Sequence, residues 1–316
     1  MTPDDVRDAA HRVAGHVRRT PIIAAGSNEL GIPCDVSLKL ELLQHTGSFK
    51  PRGAFNRILS ALETQDVPGP GLVAASGGNH GAAVAHAART LGLHAVVFVP
   101  STSPGQKRDR IGALGADVHV VEGLYDDAQL AADERVAEHG GLLVHPYDHP
   151  AIVAGQGTMA MELDDQIASY DTLLVATGGG GFIAGQAAWI RDRRRVVSVE
   201  PASSRCLHAA RQHGAPVDVD VGGLAADSLG SRRLGDVSWS IVSWFVDDAV
   251  VVDDADIRAA QTALWDCFRL VVEPGGATAL AALRAGTYAP DRGERLVVVV
   301  CGSNCDPTSV TEPWPG

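Results

Sequence analysis

Short runs of aliphatic and β-branched residues recur along this chain: Gly71-Leu-Val-Ala-Ala, His94-Ala-Val-Val-Phe-Val, Asp117-Val-His-Val-Val, Thr172-Leu-Leu-Val-Ala, Val196-Val-Ser-Val and Leu296-Val-Val-Val-Val. Their length and β-branched content predict strands. Alanine-rich segments lie between them, at His80–Leu91, Tyr125–His139, Ile183–Arg191, Ile257–Leu270 and Ala277–Ala285, and these predict helices. Strands alternating with helices imply an α/β fold whose largely parallel sheets are covered on both faces. The alternation from about residue 71 to 121 is self-contained and marks a smaller lobe, with the chain before and after it forming a larger one. No internal repeat, low-complexity tract or linker interrupts the pattern.

Composition narrows the class of protein. The chain has 316 residues, enough for two lobes, with 45% hydrophobic and 20% charged residues, the balance of an ordinary soluble globular protein. A net charge of -12 argues against a nucleic-acid partner, which needs clustered lysine and arginine. The five cysteines (Cys34, Cys206, Cys267, Cys301, Cys305) are scattered, without the paired spacing of a zinc site, and fit reduced thiols. The start, Thr2-Pro-Asp-Asp, lacks the basic and apolar regions of a signal peptide, so a cytoplasmic location is expected. The uncharged run Thr172–Ile190 has about the length of a membrane span, but four consecutive glycines cut it, and it reads as strand, turn and helix.

Four segments carry candidate chemistry. In Thr46-Gly-Ser-Phe-Lys-Pro-Arg-Gly53 a turn leads into a helix predicted to start around Pro51, which can aim Lys50 into a cleft. Lysine amines become nucleophiles when desolvated and form Schiff bases. Taken alone, a lysine there reads as solvated, because the helix dipole disfavours a cation. Ala75-Ser-Gly-Gly-Asn-His-Gly81 joins a predicted strand to a helix, and Ser76, Asn79 and His80 with the first helical amides suit a carboxylate or merely cap the helix. Thr177-Gly-Gly-Gly-Gly-Phe-Ile-Ala184 repeats the strand, loop and helix order, with amides able to close around a phosphate. The same stretch admits a dinucleotide fingerprint, Gly179-x-Gly181-x-x-Ala184 with Glu200 about twenty residues on, hence an NAD-dependent oxidoreductase. Finally, Val300-Cys-Gly-Ser-Asn-Cys-Asp306 ends the most hydrophobic strand, where ligand groups gather in open α/β sheets.

In this order and spacing the four segments resemble the fold-type II pyridoxal-phosphate family, and most closely its serine/threonine dehydratase and serine racemase branch. Val144-His-Pro-Tyr-Asp, Ile152-Val-Ala-Gly-Gln-Gly-Thr158, Val199-Glu-Pro201, Ala226-Asp-Ser-Leu-Gly230 and Val272-Glu-Pro-Gly-Gly-Ala277 extend the likeness over nearly the whole chain. The resemblance implies a two-lobed architecture like the β subunit of tryptophan synthase. Residues 1–52 and 149–316 would form the large, pyridoxal-phosphate-binding domain and 53–148 the small one. It further implies that Lys50 holds pyridoxal 5'-phosphate as a Schiff base, that Phe49 packs on it, and that Asn79 meets its phenolic oxygen. Gly178, Gly179, Gly180 and Gly181 would cradle the phosphate, and Cys301 would stand beside the ring nitrogen as a neutral partner. Ser76, Asn79 and His80, with Ser228, would surround the substrate carboxylate.

The activity implied is removal of water from a β-hydroxy amino acid such as L-threonine or L-serine, giving a 2-keto acid and ammonia. β-Replacement, another β-elimination and dehydration of 3-hydroxyaspartate are the alternatives, with a homodimer expected and neither nucleic acid nor membrane as a partner. Two departures from the pattern stand out. Racemases of this branch have a serine immediately after the position of Ser76, where this chain has Gly77, so negligible racemisation is expected. The branch's divalent-cation site would use Glu200, the Ser204 carbonyl and an aspartate, but this chain has Cys206 at the last position, and hard cations prefer oxygen.

Overall fold

A computed structural model describes residues 1–64 and 69–311. Among these residues ten strands form two sheets: β1 (Ile22–Ala25), β2 (Val36–Lys39), β3 (Leu72–Ala75), β4 (Ala95–Pro100), β5 (Asp117–Val121), β6 (Leu142–Leu143), β7 (Thr172–Ala176), β8 (Arg195–Pro201), β9 (Asp248–Val252) and β10 (Leu296–Val299). The larger sheet runs β1-β2-β10-β7-β8-β9 and the smaller β5-β4-β3-β6. Apart from the antiparallel edge pair β1 and β2, all strand pairs are parallel. This is the α/β architecture expected from the alternation, and all six predicted strands are present as β3, β4, β5, β7, β8 and β10.

The central strands β3, β4, β7 and β10 are buried along their whole length. Covered on both faces, they cannot show the alternation of a half-exposed sheet. Because the strands are parallel, their C-terminal ends gather on one side of each sheet, and the loops after β3, β7 and β10 are the three motif loops noted above.

The helix Pro150–Gln166 is buried over most of its length. A Cβ at Gly155 would lie 2.5 Å from the Arg52 carbonyl oxygen, and one at Gly157 would lie 2.6 Å from that of Gly185. The helices Lys50–Glu63 and Gly181–Ile190 therefore pack against the same helix at main-chain distance. A second tie is a buried charge cluster. The Arg52 guanidinium donates to both oxygens of Glu41, at 2.8 and 2.7 Å, and to Glu162 at 2.9 Å. Lys39, which is fully buried, donates to Glu162 at 2.5 Å.

Candidate active site

Lys50 opens its helix from a loop held along an extension of β10. Phe49 N–H donates to the Cys301 carbonyl at 3.2 Å, Ser303 N–H to that of Gly47 at 2.9 Å, and Ser48 bridges Gly302. The Lys50 amine is half-buried and donates to the Pro146 carbonyl at 2.9 Å. Desolvation lowers its pKa to about 8, against the opposing charges of Cys301 and Glu273. His80 braces the same segment, since its Nε2 lies 2.7 Å from the Val144 carbonyl and must be the donor to an oxygen that only accepts. Burial pushes the pKa of that imidazole down to about 3, so it is neutral.

Phe49, Lys50, Gly178 to Gly181 and Ser228 line one cavity, which Tyr147, Phe182 and Ser231 complete. The Phe49 and Phe182 rings stack with centroids 3.9 Å apart. Gly180 has a left-handed φ of 89°, and the helix from Gly181 to Ile190 has no side-chain cap. Its first amides are thus left to whatever occupies the loop. Tyr147 covers the loop: its ring would lie 2.6 Å from a Cβ at Gly179 and its carbonyl oxygen 2.5 Å from one at Gly181. A phosphorylated carbonyl compound fits these residues, with glycine amides for the phosphate and a lysine of lowered pKa for the carbonyl carbon.

Of the other predicted residues, Ser76, Asn79, His80 and Cys301 lie outside the lining of that cavity. Cys301 is buried and bonded weakly to the Gly275 carbonyl at 3.4 Å, and burial holds it as the neutral thiol. The Ser76 hydroxyl accepts from Gly78 N–H at 3.2 Å. Asn79 donates to Glu273 at 2.7 Å and accepts from Asn304 at 2.6 Å. The Glu273 carboxyl is 3% exposed, and burial raises its pKa to about 7 against the charge of Lys107 and the hydrogen bond from Asn79. Glu273 and Asn304 lie within segments that the sequence singles out, but no single-residue signal marked either one.

Glu200 accepts the main-chain N–H groups of Leu207 at 2.8 Å and His208 at 2.7 Å, capping the helix Cys206–His213. The Ser204 hydroxyl and Cys206 thiol donate to the carbonyls of Leu229 and Ser231. A Glu200 with both oxygens so engaged is not presented to a ribose. Among the described residues, no group of three or more histidine, cysteine, aspartate or glutamate side chains stands together as a metal site.

A family model described as pyridoxal-phosphate dependent enzyme matches residues 13–302. The L-threonine ammonia-lyase of Geobacter sulfurreducens is 36% identical over 311 residues, covering 97% of this chain and 76% of that protein. The L-threo-3-hydroxyaspartate ammonia-lyase of a Pseudomonas species is 34% identical over 305 residues, 96% of this chain and 95% of its own. Against the biosynthetic L-threonine dehydratase of Pasteurella multocida, the chain spans 53% of the relative's length. The solved T.th. threonine deaminase superposes with a TM-score of 0.89 at 31% identity, covering 97% of this chain and 99% of that one. The lysine and glycine loop in one cavity, and a match over nearly the whole length, place this chain in the family of pyridoxal-phosphate dependent enzymes.

Proposed function

We propose that this protein removes water from a β-hydroxy amino acid such as L-threonine or L-serine, releasing a 2-keto acid and ammonia. The observation that carries the reading is Lys50, an amine whose pKa is lowered to about 8, in one cavity with the four-glycine loop. Threonine ammonia-lyases among its relatives support it. When bound, pyridoxal phosphate acts as the electron sink for the bond breaking at Cα. Lys50 holds it and, as the neutral amine, takes the Cα proton. The amides of Gly178 to Gly181 would hold the phosphate, and Phe49, its ring braced by Phe182, would pack on the cofactor ring. The remaining Asn79 side-chain hydrogen would meet the phenolic oxygen. Cys301, a neutral thiol, would leave the ring nitrogen without an anionic partner, which favours elimination over transamination. Ser76, the main-chain N–H of Asn79 and Ser228 would receive the substrate carboxylate, and His80 fixes the wall that carries the Pro146 carbonyl.

The side chain accepted is uncharged. Among the described residues, no cation but Lys50 lines the cavity. Arg211 is committed to the carbonyls of Val246 and Asp247, Arg233 pairs with Asp218, and Arg205 and Arg232 are exposed. A second carboxylate, as in 3-hydroxyaspartate, would be desolvated without a partner. The same reading divides the chain into a large cofactor-binding lobe (1–52 and 149–316) and a small lobe (53–148) that holds all four strands of the smaller sheet. It also makes the enzyme a homodimer acting in the cytoplasm. Among the described residues, no helix is long and apolar enough to cross a membrane.

The test is a keto-acid and ammonia assay of the purified protein, with pyridoxal phosphate, over L-threonine, L-serine and 3-hydroxyaspartate. Keto acid from threonine or serine, and much less from hydroxyaspartate, is the expected result. Turnover only after adding a nucleophile such as sulfide would instead make the enzyme a β-replacement catalyst. Racemisation is expected to be negligible. Gly77 offers no proton, and a Cβ there would sit 1.9 Å from the Ser103 hydroxyl and 2.8 Å from a Val99 methyl. Chiral chromatography of the same L-serine reaction checks this, and D-serine formed as fast as pyruvate would refute it.

A further inference from the structure

The orientation of the Asn79 amide is dictated by the hydrogen bonds of its neighbours. The Thr46 carbonyl, on the loop leading to Lys50, accepts from Asn304 Nδ2 at 2.8 Å and from Arg110 Nη2 at 3.0 Å. Thr46 is held there with a left-handed φ of 62°. The Asn304 Oδ1 in turn accepts from the Arg110 guanidinium. A carbonyl oxygen only accepts and a guanidinium only donates, so Asn304 cannot be turned the other way round. Its second Nδ2 hydrogen goes to Asn79 Oδ1 at 2.6 Å. With that oxygen engaged, the NH₂ of Asn79 must face away from Asn304, and one of its hydrogens reaches Glu273 at 2.7 Å. Glu273 occupies the N-cap position of the helix Pro274–Ala285 yet makes no side-chain cap bond, and its other oxygen is buried without a hydrogen-bond partner. Its carboxyl is aimed at Asn79 instead.

We infer that Arg110, Asn304 and Glu273 form a polarity lock that fixes Asn79 as a hydrogen-bond donor toward the cofactor's phenolic oxygen. Asn304 is its central positioning residue. The inference rests on the reading of Asn79 as a cofactor-facing residue. The lock spans the molecule, because Arg110 comes from the helix Gly105–Ala113, between β4 and β5 of the smaller sheet, whereas Thr46, Glu273 and Asn304 belong to segments beside the larger one. A donor at the phenolic oxygen stabilises its ionised form and strengthens the hold on the ring.

The experiment uses the holoprotein and its Asn304→Asp variant, nearly isosteric but with acceptors where Asn304 has donors. Asn79 must then turn its Nδ2 toward position 304 and its oxygen toward Glu273 and the cofactor. The expected result is a visible band moved to shorter wavelength and a Kd for pyridoxal phosphate weakened about tenfold, with an unchanged far-ultraviolet circular dichroism spectrum. Glu273→Gln keeps an acceptor facing Asn79 and should leave the band in place. If Asn304→Asp does not fold, Arg110→Met, a change on the surface, should produce a smaller shift in the same direction. A folded Asn304→Asp protein with the band and Kd of the wild type, or an unshifted Arg110→Met protein where only that variant folds, overturns the lock. Absence of any band in the wild type would instead defeat the assignment of the cofactor site itself.

Discussion

Lys50→Ala protein is expected to be colourless after purification with pyridoxal phosphate and to lose turnover of threonine or serine by about 10⁴-fold or more. Lys50 is the amine of the cavity, held by the Pro146 carbonyl at 2.9 Å. No other lysine lines that cavity among the described residues, and Lys107, at the start of the Gly105–Ala113 helix, is paired with Asp227. Absorbance spectra and the keto-acid assay on both proteins check this. A visible band or comparable turnover in the variant would refute the assignment of Lys50. Stability supplies a readout independent of chemistry. The folded pKa of about 8 lies below the 10.5 of a free lysine, so between these values the unfolded state binds more protons and stability falls as pH falls. Below about pH 8 the full deficit is present. Cofactor-free Lys50→Met protein should therefore melt above wild type at neutral pH, and the gap should close above about pH 10.5.

The second large effect is expected at Arg52, 1% exposed, where removal of the guanidinium should cost about 3–5 kcal/mol of stability. Arg52 donates two hydrogen bonds to Glu41, which is fully buried, and a third to Glu162. In Arg52→Met the Glu41 carboxylate keeps the Thr20 hydroxyl at 2.6 Å but loses the guanidinium that neutralises it. The paired change Arg52→Met with Glu41→Met removes both charges and should recover most of the loss, because an apolar pair of similar volume replaces a buried ion pair at little cost. Urea unfolding of the cofactor-free proteins measures both. A single-variant loss below about 1 kcal/mol, typical of exposed ion pairs, would show that the cluster is not the brace described.

The same cluster marks the limit of what the sequence discloses. Strands β3, β4, β7, β8 and β10 were legible because burial on both faces leaves continuous apolar runs. The edge strands β1 and β9 and the two-residue β6 were not, and β2 carries Lys39, which local pattern places in solvent and which the distant Thr20, Glu162 and Gln166 engage instead. The loops after β3, β7 and β10 were legible because glycines at the ends of hydrophobic runs mark the turns. Hydrogen-bond commitments were not. Nothing near His80 in sequence shows that its ring is engaged by Val144, 64 residues away, or that Asn79 meets Glu273, 194 residues away. The helix Pro150–Gln166 escaped the alanine-rich pattern through Gly155 and Gly157, the residues that permit its close contacts.

Those glycines constrain how such a protein can diverge. The spacing between the amine of Lys50 and the loop at Gly178 to Gly181 is set by backbone against backbone, through Arg52, Gly53, Gly155, Gly157 and Gly185. Aliphatic side chains elsewhere in the core can be exchanged over many generations without touching that spacing, whereas a single added methyl at any of these glycines alters it. Substitutions in the cavity walls leave that gauge between the lysine and the glycine loop untouched.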